Sequence, residues 1–367
     1  MFNNYVKYIY LSVFALVAFS CATDEDSYVP IQIDPIQVSP VIFDIESVPY
    51  QTLSEYNFFD GNLSDINPVY GVLPYDLNSS LFTDYAHKKR FIWMPDGQSA
   101  NYLNDYSVID FPIGTVFIKN FYYDDVLPDV TTLLIETRLM ILKESGWVFA
   151  NYVWNDDLTE ASFDLSGSFK AFDFLLENET QFVNYRIPAE SKCFTCHKSI
   201  EAETALPIGP KPQNLNKSYT YADGQMNQLQ KWVEMGYLDS YPLNIESLVN
   251  WEDDSQPLEL RVRSYLDINC AHCHSDNGHC DYRPVRFAFN ESSDISNLGV
   301  CVEAHTVFDP LLTYIVNPGN ADTSVLIARL ISTEEFLRMP LFGRTLKHNA
   351  GVALIEEWIN SLNINCN

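Results

Sequence analysis

Two pentapeptides carry the chemistry of this chain: Cys193-Phe194-Thr195-Cys196-His197 and Cys270-Ala271-His272-Cys273-His274. In a helical turn, thiols at i and i+3 lie on one face, and a histidine directly after the second thiol stands beside them. That order of residues is the pattern of covalent c-type haem attachment, with two thioethers to the vinyl groups and an imidazole on the iron. Zinc would want four ligands closing on one ion, whereas each pair here has its own adjacent histidine and the pairs lie far apart in the chain. A thioredoxin-like dithiol would want a strand-helix-strand setting, which neither copy has. The motifs therefore predict two haem c groups with their irons, one on Cys193, Cys196 and His197, the other on Cys270, Cys273 and His274. His197 and His274 are the expected iron ligands.

An electron-transfer haem takes a second axial ligand, and a thioether suits ferrous iron. Met339, in Arg338-Met339-Pro340 between the second motif and the end of the chain, is the candidate for the second haem. For the first haem the choice stays open. Met226 leads, ahead of a helical pattern over Asn227 to Gly236, with Met235, His87 or an open coordination position behind it. The Pro210 carbonyl, in Ile208-Gly209-Pro210, is expected to accept the Nδ1 proton of His197 and so orient the ring. Pro284 is a less convincing counterpart for His274. His272 reads as a spacer, and His279, His305 and His348 belong to no constellation. Among Cys280, Cys301 and Cys366, a Cys280–Cys301 disulfide is expected because both flank one loop, although three pairings are possible.

The elements around these residues begin with export. Lys7, the apolar run Tyr8 to Phe19 and Ser20 form a secretory signal over residues 1–20. Cys21 is then the expected site of lipidation, with plain secretion or an uncleaved anchor as the alternatives. Residues 21–48 are acidic, then spaced by prolines, and read as a tether. Within them Ala22-Thr23-Asp24-Glu25-Asp26 resembles the acidic tag of some surface lipoproteins. The expectation is an exported outer-membrane lipoprotein facing the periplasm or the cell surface, held to the membrane through Cys21. Against 49 acidic residues stand 22 lysines and arginines, for a net charge of −27. Such a chain is no nucleic-acid partner and favours a redox protein with a basic face.

Residues 49–187 form a β-rich domain, with strand patterns over Gly114 to Lys119, Thr131 to Lys143 and Gly146 to Phe149. Residues 188–250 hold the first haem segment and 251–367 the second. Ser255 is expected to cap a helix with Pro257 in its first turn and an apolar stripe of Leu258, Val262, Tyr265 and Leu266. Val352, Ile355, Ile359 and Leu362 mark a closing helix. The fold class expected is α+β, a β-rich N-terminal domain followed by mainly α-helical haem domains.

With a helix before the motif and a helix at the end, residues 261–362 resemble a class I cytochrome c. Gly71-Val72-Leu73-Pro74-Tyr75-Asp76-Leu77-Asn78, Asp84-Tyr85-Ala86-His87-Lys88, Glu136-Thr137-Arg138-Leu139, Tyr152-Val153-Trp154-Asn155 and Tyr265-Leu266-Asp267-Ile268-Asn269-Cys270 resemble an exported diheme c-type cytochrome family over residues 50–362. The resemblance implies haem binding and electron transfer, an electron carrier in preference to an enzyme. A fainter likeness, in Phe111-Pro112-Ile113-Gly114-Thr115-Val116, Lys119 and Glu136-Thr137-Arg138, is to cytochrome P460 proteins. It implies the alternative, a haem enzyme of peroxidase or P460 type with one five-coordinate haem and Lys119 beside it.

Overall fold

A computed structural model describes residues 37–198, 205–306 and 308–366. The expected signal, Cys21 and most of the tether lie outside the described residues. Val38–Asn367 makes one compact unit. A two-stranded ribbon, β1 (Phe59–Asp60) and β2 (Asn67–Pro68), precedes an eight-stranded antiparallel sheet. Its strands are β3 (Leu73–Tyr75), β4 (His87–Trp93), β5 (Val116–Val126), β6 (Thr131–Lys143), β7 (Gly146–Trp154), β8 (Ala161–Phe163), β9 (Ser168–Leu176) and β10 (Glu179–Ile187). They run β3-β4-β5-β6-β7-β8, and β9 with β10 joins the far end of β5 at Val126 opposite Phe174. Aromatic and β-branched residues fill both faces of these strands, so the sheet is covered on each side.

One face, with Ile118, Leu139, Ile141 and Tyr152, packs under Leu53, Tyr56 and Phe58 from the preceding segment. The other face positions the two motifs. Ile92, Phe117, Met140 and Phe149 on it pack against Leu215, Leu229 and Trp232. These come from α2 (Pro212–Leu215) and α3 (Gln228–Glu234), which follow α1 (Glu190–His197) and flank a hairpin of β11 (Ser218–Tyr221) and β12 (Gly224–Asn227). The Asn227 side chain caps α3 by accepting from the amides of Leu229 and Gln230, which satisfies two otherwise unpaired donors.

The last third of the chain contains α4 (Leu258–Leu266), α5 (Val325–Ile331) and α6 (Asn349–Ser361). Val262, Tyr265 and Leu266 of α4 share a core with Val352, Ile355 and Ile359 of α6. The two helices approach closely at Gly351, where a Cβ would collide with the Tyr265 hydroxyl. Among the described residues no helix is long and apolar enough to cross a membrane.

The expected class is corrected here. Strand makes up 27% of the chain and helix 20%, so the region after residue 188 is not a set of mainly α-helical cytochrome-like domains. Its helices run from four to thirteen residues, joined by long stretches of turn. Gly278, Pro284, Gly299, Pro310, Pro318 and Gly319 stop helix propagation between α4 and α5. Side chains satisfy the freed backbone instead: the Arg286 guanidinium donates to the carbonyls of Asp281, Arg283 and Val285. Ser255 does not cap α4. Its hydroxyl donates to Asp253 Oδ1 at 2.6 Å, Pro257 takes the cap position, and Leu362 lies just past the end of α6.

His348 sits where α6 begins. Its ring stacks on Phe82 with centroids 4.0 Å apart, and Nδ1 shares a hydrogen bond with the Tyr265 hydroxyl at 3.0 Å. Desolvation, reinforced by Lys88 and Arg344, lowers its pKa to about 4. The folded chain therefore favours neutral His348. The stability this confers is whole above the ordinary value near 6.5 and is lost as pH falls towards 4. Urea unfolding at pH 7 and pH 5 should show roughly 1–2 kcal/mol of acid destabilisation from this one residue. His348→Phe should remove that share; an acid loss equal in both proteins contradicts the assignment.

Candidate functional site

The first motif occupies the last turns of α1, so Cys193 and Cys196 lie one turn apart with His197 next to them. His197 Nδ1 donates to the Leu206 carbonyl at 2.8 Å, and the Leu206 amide donates back to the His197 carbonyl. That fixes the tautomer and leaves Nε2 as a free base. Desolvation lowers the His197 pKa to about 4 and pushes the Cys193 thiol up to about 11. The expected acceptor, Pro210, is corrected to Leu206. The chain turns at Gly209, φ +106°, and the Pro210 carbonyl accepts instead from the Ile109 amide at 3.3 Å.

His197, Cys193 and Cys196 line a cavity of about 180 Å³ whose opposite wall is the sheet, with Lys119, Arg138, Met140 and Asn151. None of the expected distal ligands lies there. Met226 is on β12, opposite Tyr219, and packs against the core around Trp232. Met235 follows α3 into the same core, because α3 turns its apolar side to the sheet. His87 stands on the surface 3.9 Å from Asp124. Met140 is the thioether in this cavity's lining, and within the sequence a methionine inside a hydrophobic strand reads as core. Lys119, from the same wall, has its ammonium pushed well below the ordinary value by desolvation and then by Arg90.

The second motif continues α4. A π-turn over Asp267–Ala271 carries Cys270, and the amides of Cys273 and His274 both donate to the Cys270 carbonyl, at 3.1 and 3.0 Å. Desolvation takes the Cys270 thiol up to about 12 and His274 down to about 4, so this imidazole is neutral too. Its Nδ1 has no hydrogen-bond partner, which denies Pro284 the orienting role, although Pro284 lines the same cavity. That cavity, about 110 Å³, is bounded by Cys270, Cys273, His274 and Met339. The Met339 amide donates to the Arg329 carbonyl at 3.0 Å. Arg344, 4% exposed, donates to the carbonyls of Met339, Arg329 and Ser332. Asp84 then accepts from the amides of Thr345 and Leu346, which fastens the Met339 loop to the sheet side.

The two motifs meet. Cys273 Sγ lies 3.4 Å from the Thr195 carbonyl, and ligand atoms of Cys196, His272 and Cys273 lie within 4.8 Å of one another. The closeness of the two thiols lowers the Cys196 pKa and raises that of Cys273. His272 lines both cavities and forms part of the wall between them. The expected Cys280–Cys301 disulfide is corrected: Cys301 is bonded to Cys366, and Cys280 is a free, buried thiol. The Cys280 amide donates to the Cys273 carbonyl at 2.9 Å, which tucks it against the second cavity and away from Cys301. His279 is exposed, and His305 stands at the rim of the second cavity.

The donor set fits haem c. Each motif presents two thiols and a neutral imidazole to a cavity of its own, and the second cavity adds a thioether. The chain matches no family model, and it has no match among curated proteins or solved structures. Because Arg344 closes three carbonyls around the Met339 loop, Arg344→Ala should destabilise the chain by about 2–4 kcal/mol. It should also broaden the Met339 methyl resonance; an unchanged unfolding midpoint and resonance would contradict the anchoring.

Proposed function

We propose that this chain is a diheme c-type cytochrome acting as an electron carrier, exported and lipid-anchored through Cys21, with a redox partner that has a basic face. The observation that carries this reading is the pairing of each Cys-x-x-Cys-His turn with its own cavity, the second also bounded by Met339. When bound, haem supplies a one-electron redox centre at each motif. The chain's own contributions are distinct from that chemistry. Cys193, Cys196, Cys270 and Cys273 hold the groups covalently, and His197 and His274 offer neutral nitrogen ligands. The Leu206 carbonyl keeps the His197 ring in one orientation, and Met339 offers a soft second ligand that favours the reduced state. The apolar rings of Phe149 and Phe287 lie 5.2 and 5.3 Å from those of His197 and His274 and cover part of each imidazole.

A second reading, a haem enzyme with one five-coordinate iron, is favoured by the cationic and amide groups facing His197 across the first cavity. Pyridine haemochrome assay of the full chain, matured in a host with covalent haem attachment, should give two haems per chain. Cys193→Ala with Cys196→Ala should leave one, as should Cys270→Ala with Cys273→Ala. Met339→Ala should abolish the red-edge thioether-to-iron band. Carbon monoxide uptake at one haem per wild-type chain selects the enzyme reading, no uptake selects the carrier, and a chain without haem contradicts both.

A further inference from the structure

Lys119 and Arg138, on the sheet wall of the first cavity, belong to a cross-strand row of three basic residues that begins at Arg90, outside the cavity lining. Arg90 on β4 is directly opposite Lys119 on β5, Lys119 opposite Arg138 on β6, and Arg138 opposite Asn151 on β7. Like charges placed opposite one another across strands are destabilising. Two of the three are compensated: Arg90 donates to Asp76 at 2.9 Å, and Arg138 pairs with Glu136. Among the described residues no carboxylate comes within ion-pair distance of Lys119, whose ammonium lies 5.0 Å from the Phe121 ring centroid.

Beside this charge, hydrogen-bonding groups are left unused. Asn151 is 7% exposed and lines the cavity, yet neither its side-chain nitrogen nor its oxygen is bonded; Arg138 Nε and Thr83 Oγ1 are also unpartnered there. Buried polar groups without partners are costly, and several on one cavity wall mark a place for a polar guest. The acids on the lining do not fill it. Asp84 is committed to Thr345 and Leu346, and Glu190 belongs to α1 on the opposite side.

We propose that Lys119, Arg138 and Asn151 form an anion site in this cavity, one that takes a carboxylate or a small inorganic oxyanion. The ammonium, the guanidinium Nε and the amide NH2 each offer a donor, and charge-assisted bonds of this kind are the strong ones. The carboxylate has two sources, a free small anion or an acid side arm of a macrocycle attached at Cys193 and Cys196. The site stands on the cavity wall and does not depend on haem attachment.

Sodium formate titrated into the full-length protein, against sodium chloride at equal ionic strength, decides between the sources. A free-anion site gives saturable calorimetric binding and a thermal midpoint that rises with formate; both are lost in Lys119→Met, which removes the ammonium but keeps an unbranched side chain as far as Cε. A site already filled by the macrocycle gives no formate response, and Lys119→Met then lowers the midpoint potential of one haem only. Asn151→Asp supplies a carboxylate from within and should raise the thermal midpoint while abolishing any formate response, so the test holds even if Lys119→Met fails to fold. Formate binding equal in wild type and Lys119→Met overturns the proposal. So does an absence of binding together with unchanged potentials in Lys119→Met and no stabilisation by Asn151→Asp.

Discussion

The arrangement depends on the contact between two short helical turns, the end of α1 and the turn after α4, joined where Cys273 Sγ meets the Thr195 carbonyl. Both turns are docked on one face of the sheet, and polar pins hold the second one there. Asn269 accepts from the Phe82 amide, and Asp267, nearly fully buried, accepts from Lys211 at 3.2 Å and from the Phe289 amide at 3.0 Å. A buried carboxylate that lost its cation would be left uncompensated, a change that typically costs about 3–5 kcal/mol. These pins therefore fix the wall that both cavities share, and with it which residues can face each motif.

Charge is distributed against the average of the chain. A protein of net charge −27 turns Lys119, Arg138, Arg186, Lys192, Arg338 and Arg344 towards one cavity. Several of these are structural: Arg344 and Arg338 bind backbone carbonyls around Met339, and Arg186 pairs with Glu335. A basic pocket within an acidic chain would favour anions inside it over anions at the exterior.

Much of the framework was legible in the residues. Period and composition located β6 at the residues it occupies and marked the buried faces of α4 and α6, because strand and helix periodicity follow directly from burial. The i, i+3 thiols with an adjacent histidine placed both motifs in helical turns from spacing alone. What could not be read was non-local. Pairing of Cys301 with Cys366 depends on where the tail runs after α6, and acceptance of the His197 proton by Leu206 depends on the chain returning to the end of α1, where Ala205 bridges Lys198. Lys119 and Asn151 are two strands apart in the sheet, so their alignment through Arg138 exists only once β5, β6 and β7 are in register. The C-terminal region looked helical because its two longest apolar stripes are helical. The turns between them are held by arginine-to-carbonyl bonds that no periodicity records.

The central claim is that both turns bind porphyrin covalently, each through its own thiols. Intact-mass spectrometry of the full chain matured with haem-attachment machinery, followed by peptide mapping, tests it most directly. The account predicts the mass of the processed chain plus two haems, one on the peptide containing Cys193 and Cys196 and one on that containing Cys270 and Cys273. A chain at its unmodified mass, or one holding a metal ion between Cys196, His272 and Cys273 with all four motif thiols free of porphyrin, would contradict it.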